Sequence, residues 1–408
     1  MKRALLLVFA SALLLTGCWD SIDIENRGFV LGIAIDKFPP SPKGAQSTSP
    51  EEAPPKEEER LEIMELHTGQ PLYAMTIQLP IVKKAQSAVQ SSGGSGGDGS
   101  RTWEITQVGN SFMSMNRELQ SRVNLSLYYE HLQVIILSEE VAREGIEKIL
   151  DFFVRDPEMR RRVKMFISAG EAKKILDNVP RIEDYSSIYL STLPRNATKN
   201  SRMIHKTDLG EVINNIHGGH AFVLPKVEST KDEIKTSGGA VFKGDKMVGW
   251  LGELELEALK FIRNLYKGGV MVVRAPGTEN GIATLNITRA QSKVIPIIEG
   301  EEARFRIEIK VEGNYAEEIH MHTHGLLSKS LLDKLEKEYA KEIERICIET
   351  IKKVQRDYGA DIFRFDQILK TEEPIFWKKV GKDWDSIFPG VEAEVKADVS
   401  INLLGIVK

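Results

Sequence analysis

Hydrophobic and polar positions alternate most clearly near the C-terminus. Ala303, Phe305, Ile307, Ile309 and Val311 interleave with Arg304, Arg306, Glu308, Lys310 and Glu312. The same two-residue period returns at Val391, Ala393, Val395, Ala397, Val399, Ile401 and Leu403. Each run predicts a strand with one wet face and one buried face. Between them, Leu332, Leu335, Tyr339, Ile343, Ile346, Thr350 and Val354 recur at helical spacing, predicting a long helix over about 328–357. That helix can cover the buried strand face, so the expectation is an antiparallel C-terminal sheet packed on a long helix.

Upstream, strands and helices mix. Residues 29–36 form an apolar run bounded by charge, and 61–66 and 73–79 predict two more strands. In the last of these, Tyr73, Met75, Ile77 and Leu79 alternate with Ala74, Thr76 and Gln78. Val108, Phe112, Met115 and Leu119 mark an amphipathic helix. A strand over 132–137 leads to Ser138, which can cap a helix carrying Val141, Ile149, Leu150 and Phe153. A strand over 163–168, a short helix over 171–176 and a helix over 182–193 follow. Thr207 is expected to cap a helix with Leu209, Val212, Ile213 and Ile216 inward, ended by Gly218-Gly219. Then come a strand over 221–224, a hairpin over 239–251 turning at Gly244-Asp245, a helix over 253–267 and a strand over 270–274. The class is mixed, α/β with α+β character. Three mixed domains are expected over 18–200, 201–290 and 291–408. The first carries low-complexity insertions near 38–60 and 84–101, rich in Pro, Ser, Gly and charge, which bury too little apolar surface to order themselves.

The front of the chain changes the picture. Lys2 and Arg3 precede an apolar stretch from Ala4 to Leu15, closed by Leu15-Thr16-Gly17-Cys18. This has the form of a secretory signal occupying residues 1–17. Its apolar run is about twelve residues, too short to span roughly 30 Å of hydrocarbon as a helix. Small residues before a lone Cys18 resemble the lipobox of bacterial lipoproteins. In that class the thiol takes a diacylglyceryl group, the chain is cut before the Cys, and a further acyl chain on the new amino terminus is an option. The competing reading is an ordinary cleaved signal with an incidental Cys. Removing the seventeen-residue leader from 408 residues leaves 391, enough for two or three domains with real cores.

Composition excludes some classes. The 55 basic and 59 acidic side chains give net −4, and loss of Lys2 and Arg3 makes it −6, which does not suggest nucleic-acid binding. With Cys18 lipidated, Cys347 is left alone and no intrachain disulfide can form. Cys347 shares a helix face with Ile343, Ile351 and Val354 and is expected to be a buried small hydrophobe.

Candidate chemistry is sparse. His320, His322 and His324 alternate, and on a strand they would share one face about 7 Å apart, a pattern that can hold zinc. Without a further ligand in the sequence they are assigned to a polar sheet face, and no metal or cofactor is expected. His217 and His220 flank the helix-ending glycines and are expected to face solvent. Arg160, Arg161, Arg162 and Lys164 could meet anionic lipid or an acidic partner, with a solvated corner as the plainer alternative. Phe376, Trp377, Trp384 and Phe388 could dock a partner, with core packing favoured. Asn196-Ala197-Thr198 matches a glycosylation pattern. No nucleophile elbow, phosphate loop or paired-carboxylate signature is present.

Several stretches together resemble the Ger(x)C family, the lipoprotein C subunits of nutrient receptors in bacterial spores. They are Gly17-Cys18-Trp19-Asp20 with Gly32-Ile33-Ala34-Ile35-Asp36, the segment HLQVIILSEEVAREGIEKILDFFVRDPEMRR over 131–161, and GGAVFKGDKMVGWL over 238–251. At the end Gln355, Tyr358-Gly359, Asp361-Ile362-Phe363, Pro374, Trp377 and Trp384 follow the family's order. The chain departs from that pattern in its longer insertions, in the Gly-rich loop before Trp103, and at Arg364-Phe365-Asp366, where glycines are expected. The resemblance implies three mixed α/β domains and a complex with two integral-membrane subunits, of A and B type, one of them transporter-like. It implies a part in the response to amino acids or sugars that starts germination, at the inner spore membrane. It implies no catalysis and supplies no ligand contacts. The rival class is a free-standing extracytoplasmic solute-binding lipoprotein, whose two doubly wound lobes the alternating C-terminal strands speak against. An extracytoplasmic enzyme ranks third.

Overall fold

The computed structural model describes residues 23–39, 71–81, 101–205, 208–231, 233–319 and 328–402. The expected strand over 61–66, nearly all of both insertions, Thr207, Cys18 and the three alternating histidines lie outside the described residues.

Strands β1 (Arg27–Phe29), β2 (Gly32–Phe38), β3 (Leu72–Pro80) and β4 (Thr102–Gly109) precede helix α1 (Phe112–Arg122). After β5 (Ser126–Tyr128) and β6 (Val134–Ser138) come α2 (Glu139–Glu144), α3 (Glu147–Arg155) and β7 (Lys164–Ser168). Helices α4 (Lys173–Asp177), α5 (Ser186–Thr192) and α6 (Leu209–His217) lead to β8 (Phe222–Ser229), β9 (Ile234–Lys243) and β10 (Lys246–Leu251). The eight strands β10-β9-β8-β7-β6-β2-β3-β4 form one sheet in that order, while β1 and β5 pair separately. Its centre, β2, β6, β7 and β8, is parallel, and its flanks are antiparallel.

Parallel strands are covered on both faces, and here they are. Ile33, Ile35, Met75 and Ile77 pack against α1, α2, α3 and α6 through Phe112, Met115, Val141, Ile149, Phe153 and Val212. Ala34, Val134, Ile136 and Phe166 face the other way, onto Ile175, Leu176 and Leu190 of α4 and α5. The side of β3 that alternation marks as polar is therefore buried, with Thr76 and Gln78 both fully enclosed. Gly32 is required by this layer, because a Cβ there would lie 2.1 Å from the Ser187 hydroxyl. The single helix expected after Ser138 is two, broken at Gly145 with φ 119°. Ser138 does not cap through its side chain, and its buried hydroxyl has no hydrogen-bond partner. Val108, placed in a helix by spacing, ends a strand instead.

Helix α7 (Glu253–Ile262) opens the second unit, followed by β11 (Gly269–Arg274) and the long strands β12 (Ile282–Glu299) and β13 (Glu302–Ile319). Helix α8 (Lys329–Lys353) continues through a π turn over Val354–Tyr358. Then α9 (Phe365–Glu372), α10 (Pro374–Val380), α11 (Trp384–Ile387) and β14 (Glu392–Asn402) complete the described chain. The second sheet has the order β11-β12-β13-β14. Its last strand corrects the antiparallel expectation: β14 runs parallel to β13, from Arg304↔Glu392 to Asn314↔Asn402. The connection between them contains α8 to α11, and a crossover of that length returns the chain to the same end of the sheet.

Ser328 caps α8 by accepting from the Leu331 amide at 3.2 Å. The helix buries Leu335, Tyr339, Ile343, Ile346 and Cys347. Its Glu344 and Glu336 accept from the Ala397 and Ile401 amides, each at 2.9 Å, which closes the outer edge of β14.

Residues 201–290 do not build a sheet of their own. Strands β8, β9 and β10 extend the first sheet, while β11 and β12 belong to the second. The β9–β10 hairpin serves both cores. Ala240, Phe242 and Met247 pack with the first, and Val241 and Leu251 with the second.

Candidate functional site

Three helices start without a side-chain cap of their own, and distant or buried groups supply it. Asp36 on β2 accepts from the Ala172 and Lys173 amides at 2.6 and 2.9 Å, at the start of α4. Burial pushes this carboxyl up from its ordinary 3.8 to about 6, against the pull of those two amides. Gln78 on β3 accepts from the Ser187 amide and hydroxyl at 3.2 and 2.5 Å, at the start of α5. Its amide group reaches Leu176 O at 3.1 Å and Ser186 Oγ at 2.8 Å. Asp361 accepts from the Phe365 and Asp366 amides at 3.2 and 2.8 Å and from Trp384 Nε1 at 3.0 Å. Burial pushes it, too, to about 6. In each case a polar side chain inside the fold satisfies the exposed donors of a helix N-terminus.

A second buried group joins the two units. Ser201 and Tyr266 both donate to one oxygen of Glu257, at 2.9 and 3.0 Å. Lys260, one turn along α7, donates to Met203 O at 3.1 Å and Ala197 O at 3.3 Å. Burial lowers Lys260 to about 8 and raises Glu257. These bonds fasten residues 193–203 to α7. Chemically they position backbone, since each group faces a fixed internal partner.

The C-terminal residues that carry the family resemblance turn out to be internal ties. Gln355 donates to Phe388 O and Val391 O at 3.0 and 2.7 Å. Tyr358 donates to Trp250 O at 2.7 Å, with its ring seated over Gly249, where a Cβ would lie 2.2 Å from Tyr358 Cε1. Lys243 donates to Gly359 O at 2.9 Å. Gly359 itself takes φ 53°, the left-handed turn that ends the long helix.

The remaining candidates separate. Trp384 and Phe388 are buried and Phe376 and Trp377 pack against them, so the aromatic group is core. Arg160 pairs with Glu130 at 3.1 Å and Lys164 with Asp208 at 2.6 Å, which neutralises two of the four cations. His217 ends α6. His220 is not a solvent-facing loop residue: its Nδ1 lies 3.1 Å from Asp366 and its Nε2 lies 3.0 Å from the Gln367 amide nitrogen. Cys347 is fully buried, and burial pushes its thiol up, away from reactivity. Asn196-Ala197-Thr198 lies in a 3-10 turn over Leu193–Thr198 with Ala197 buried. Among the described residues no group of three or more His, Cys, Asp or Glu could hold a metal, and no helix is long and apolar enough to cross a membrane. Sequence spacing missed Gln78, Glu257 and Lys260. A lone polar residue inside an alternating or amphipathic run carries no local sign of burial.

Comparison with known proteins fits this architecture. A family described as "Spore germination protein N-terminal domain" matches residues 20–229, and "Spore germination B3/ GerAC like, C-terminal" matches residues 237–405. The gap between the two matches, 230–236, runs from the end of β8 into the first residues of β9, the first strand of the hairpin that both cores share. "Spore germination protein YndF" of Bacillus subtilis (strain 168) is 30% identical over 99% of this chain and 97% of its own length. "Spore germination protein B3" of the same organism is 26% identical over 97% of this chain and 96% of its own. The solved structure described as "Crystal Structure of the GerBC protein" superposes with TM-score 0.57 at 23% identity, covering 82% of this chain and 94% of that one, and shares the fold. Matched by these two consecutive family descriptions over most of its length, the chain belongs to the Ger(x)C family of spore germination proteins.

Proposed function

We propose that this protein is the lipid-anchored, non-enzymatic C subunit of a spore nutrient germinant receptor. It is held through Cys18 to the outer face of the inner spore membrane, where it scaffolds or gates the integral-membrane A and B type subunits. The observation that carries the reading is the pairing of a near end-to-end family match with the internal engagement of the signature residues: Gln355, Tyr358, Asp361 and Trp384 hold the fold together. Such a body acts by presenting surfaces, not by turning over a substrate.

Deletion of the gene from a spore-former, with germination scored against a nutrient panel, tests the role. The expected result is loss of response to at least one nutrient; full response to all, in a strain without a redundant receptor, overturns it. Cys18→Ala tests the tether. That variant is expected to leave the membrane fraction, and mass spectrometry of the native protein is expected to find acyl groups at Cys18. Unchanged membrane retention of the variant rules the anchor out.

A further inference from the structure

A cavity of about 460 Å³ lies where α6, β8 and α7 meet the start of α9. One wall is apolar, built from Val212, Phe222, Leu224, Leu256 and Leu259. The other is cationic: Lys260, Arg263 and Lys267 from α7 and the turn after it, and Arg364 from the N-cap of α9. Asp208 and Glu211 are the acidic residues lining it, and Asp208 is held by Lys164 at 2.6 Å.

Arg364 is unusual on three counts. Its backbone is left-handed, at φ 67° and ψ 34°, a conformation that glycine adopts freely and that costs an L-residue roughly 1 kcal/mol. It is one of two non-glycine residues with positive φ among those described. Its Nη2 donates to Asn215 Oδ1 at 2.6 Å, yet its Nη1 is buried with no hydrogen-bond partner. A buried guanidinium N–H left unmatched is costly.

Arg263 and Arg364 line the same cavity, burial disfavours the charge on both, and the charge of Arg364 lowers Arg263 further. Glu211, Asp361 and Asp366 attract them at longer range. None of the three forms an ion pair with either arginine within 4.0 Å among the described residues. Asp361 is engaged by two amides and Trp384, and Asp366 faces His220. Asp366 Oδ1, like Arg364 Nη1, is buried with no hydrogen-bond partner, and the wall opposite the guanidiniums is apolar.

We propose that this cavity binds a small monocarboxylate with a branched apolar body, its carboxylate between Arg364 and Arg263 and its hydrocarbon against Val212, Leu256 and Leu259. Planar, forked donors match a carboxylate in two-point fashion. The volume lies in the range of small-molecule sites. The site is a property of this chain and stands or falls independently of the receptor role.

The test is isothermal titration calorimetry on the purified full-length chain in neutral detergent, with 4-methylpentanoate as the probe and 4-methylpentanol as the uncharged control. Wild type is expected to bind the acid at millimolar concentration or tighter, and the alcohol at least roughly tenfold more weakly. Arg364→Gly is the decisive variant, because glycine accepts φ 67° without strain and the fold should keep or gain thermal stability. Binding by that variant is expected to fall at least roughly tenfold. Arg263→Gln is expected to weaken the acid as well. No heat from wild type up to about 10 mM acid, equal binding of acid and alcohol, or unchanged binding by Arg364→Gly would each overturn the proposal.

Discussion

Gln78→Leu puts the borrowed helix cap to its most direct test. The change keeps side-chain size and removes every polar atom. Gln78 is fully buried, as are Ser186 and Ser187. Leu176 O keeps a donor, because Ser186 Oγ also bonds it at 2.8 Å. The Ser187 amide and hydroxyl lose the oxygen they share, and the α5 N-cap residue Tyr185 offers no side-chain substitute. Two buried donors without partners cost about 1–3 kcal/mol each. The added apolar contact of leucine returns about 1 kcal/mol, so the expected loss is about 1–5 kcal/mol. Urea unfolding followed by circular dichroism measures it, and hydrogen exchange locates it: amides of α4 and α5 should exchange faster, while those of α8 should not. Adding Ser187→Ala removes one stranded hydroxyl, so the double variant should be about 1 kcal/mol more stable than the sum of the singles. A loss under about 0.5 kcal/mol, or additive singles, would refute the view that Gln78 caps α5.

Other outcomes follow from the same geometry. Asp36 is raised to about 6, so the folded state holds a proton that the unfolded chain releases, and stability falls as pH rises from about 4 to 6. The stability difference between wild type and Asp36→Asn should therefore shift by about 2 kcal/mol between pH 4 and 7; a difference constant across that range contradicts it. Glu336→Ala combined with Glu344→Ala frees two amides on the edge of β14. About 1 kcal/mol per lost bond and concentration-dependent association in light scattering are expected, and a strictly monomeric double variant would show that the edge is protected otherwise.

Much of the molecule was legible from local pattern. The alternation over 303–311 and 391–403, the heptad-like spacing of α8, its Ser328 cap, and the hairpin turn at Gly244-Asp245 depend on residues close in sequence, and each element stands near where the pattern puts it. The family resemblance was legible for the same reason, since its residues keep a fixed order along the chain. The departure at Arg364 was also visible in the sequence, though its meaning was not: only the backbone angle and the cavity beside it give that arginine a role.

What tertiary structure decided is which polar groups are inside and which way strands run. Gln78 looks like one of the wet positions of an alternating strand until α4 and α5 cover it. Strand β14 has the same alternation whether it runs parallel or antiparallel to β13, because side-chain period is blind to direction. The long connection through α8 to α11 settles the matter. The β9–β10 hairpin places alternate residues in different cores, a fact set by what lies on each face and invisible to local pattern. Local periodicity determines that an element exists; the partners of its buried polar atoms are chosen by residues as far off as the 136 positions between Asp36 and Ala172, and only the assembled fold brings those together.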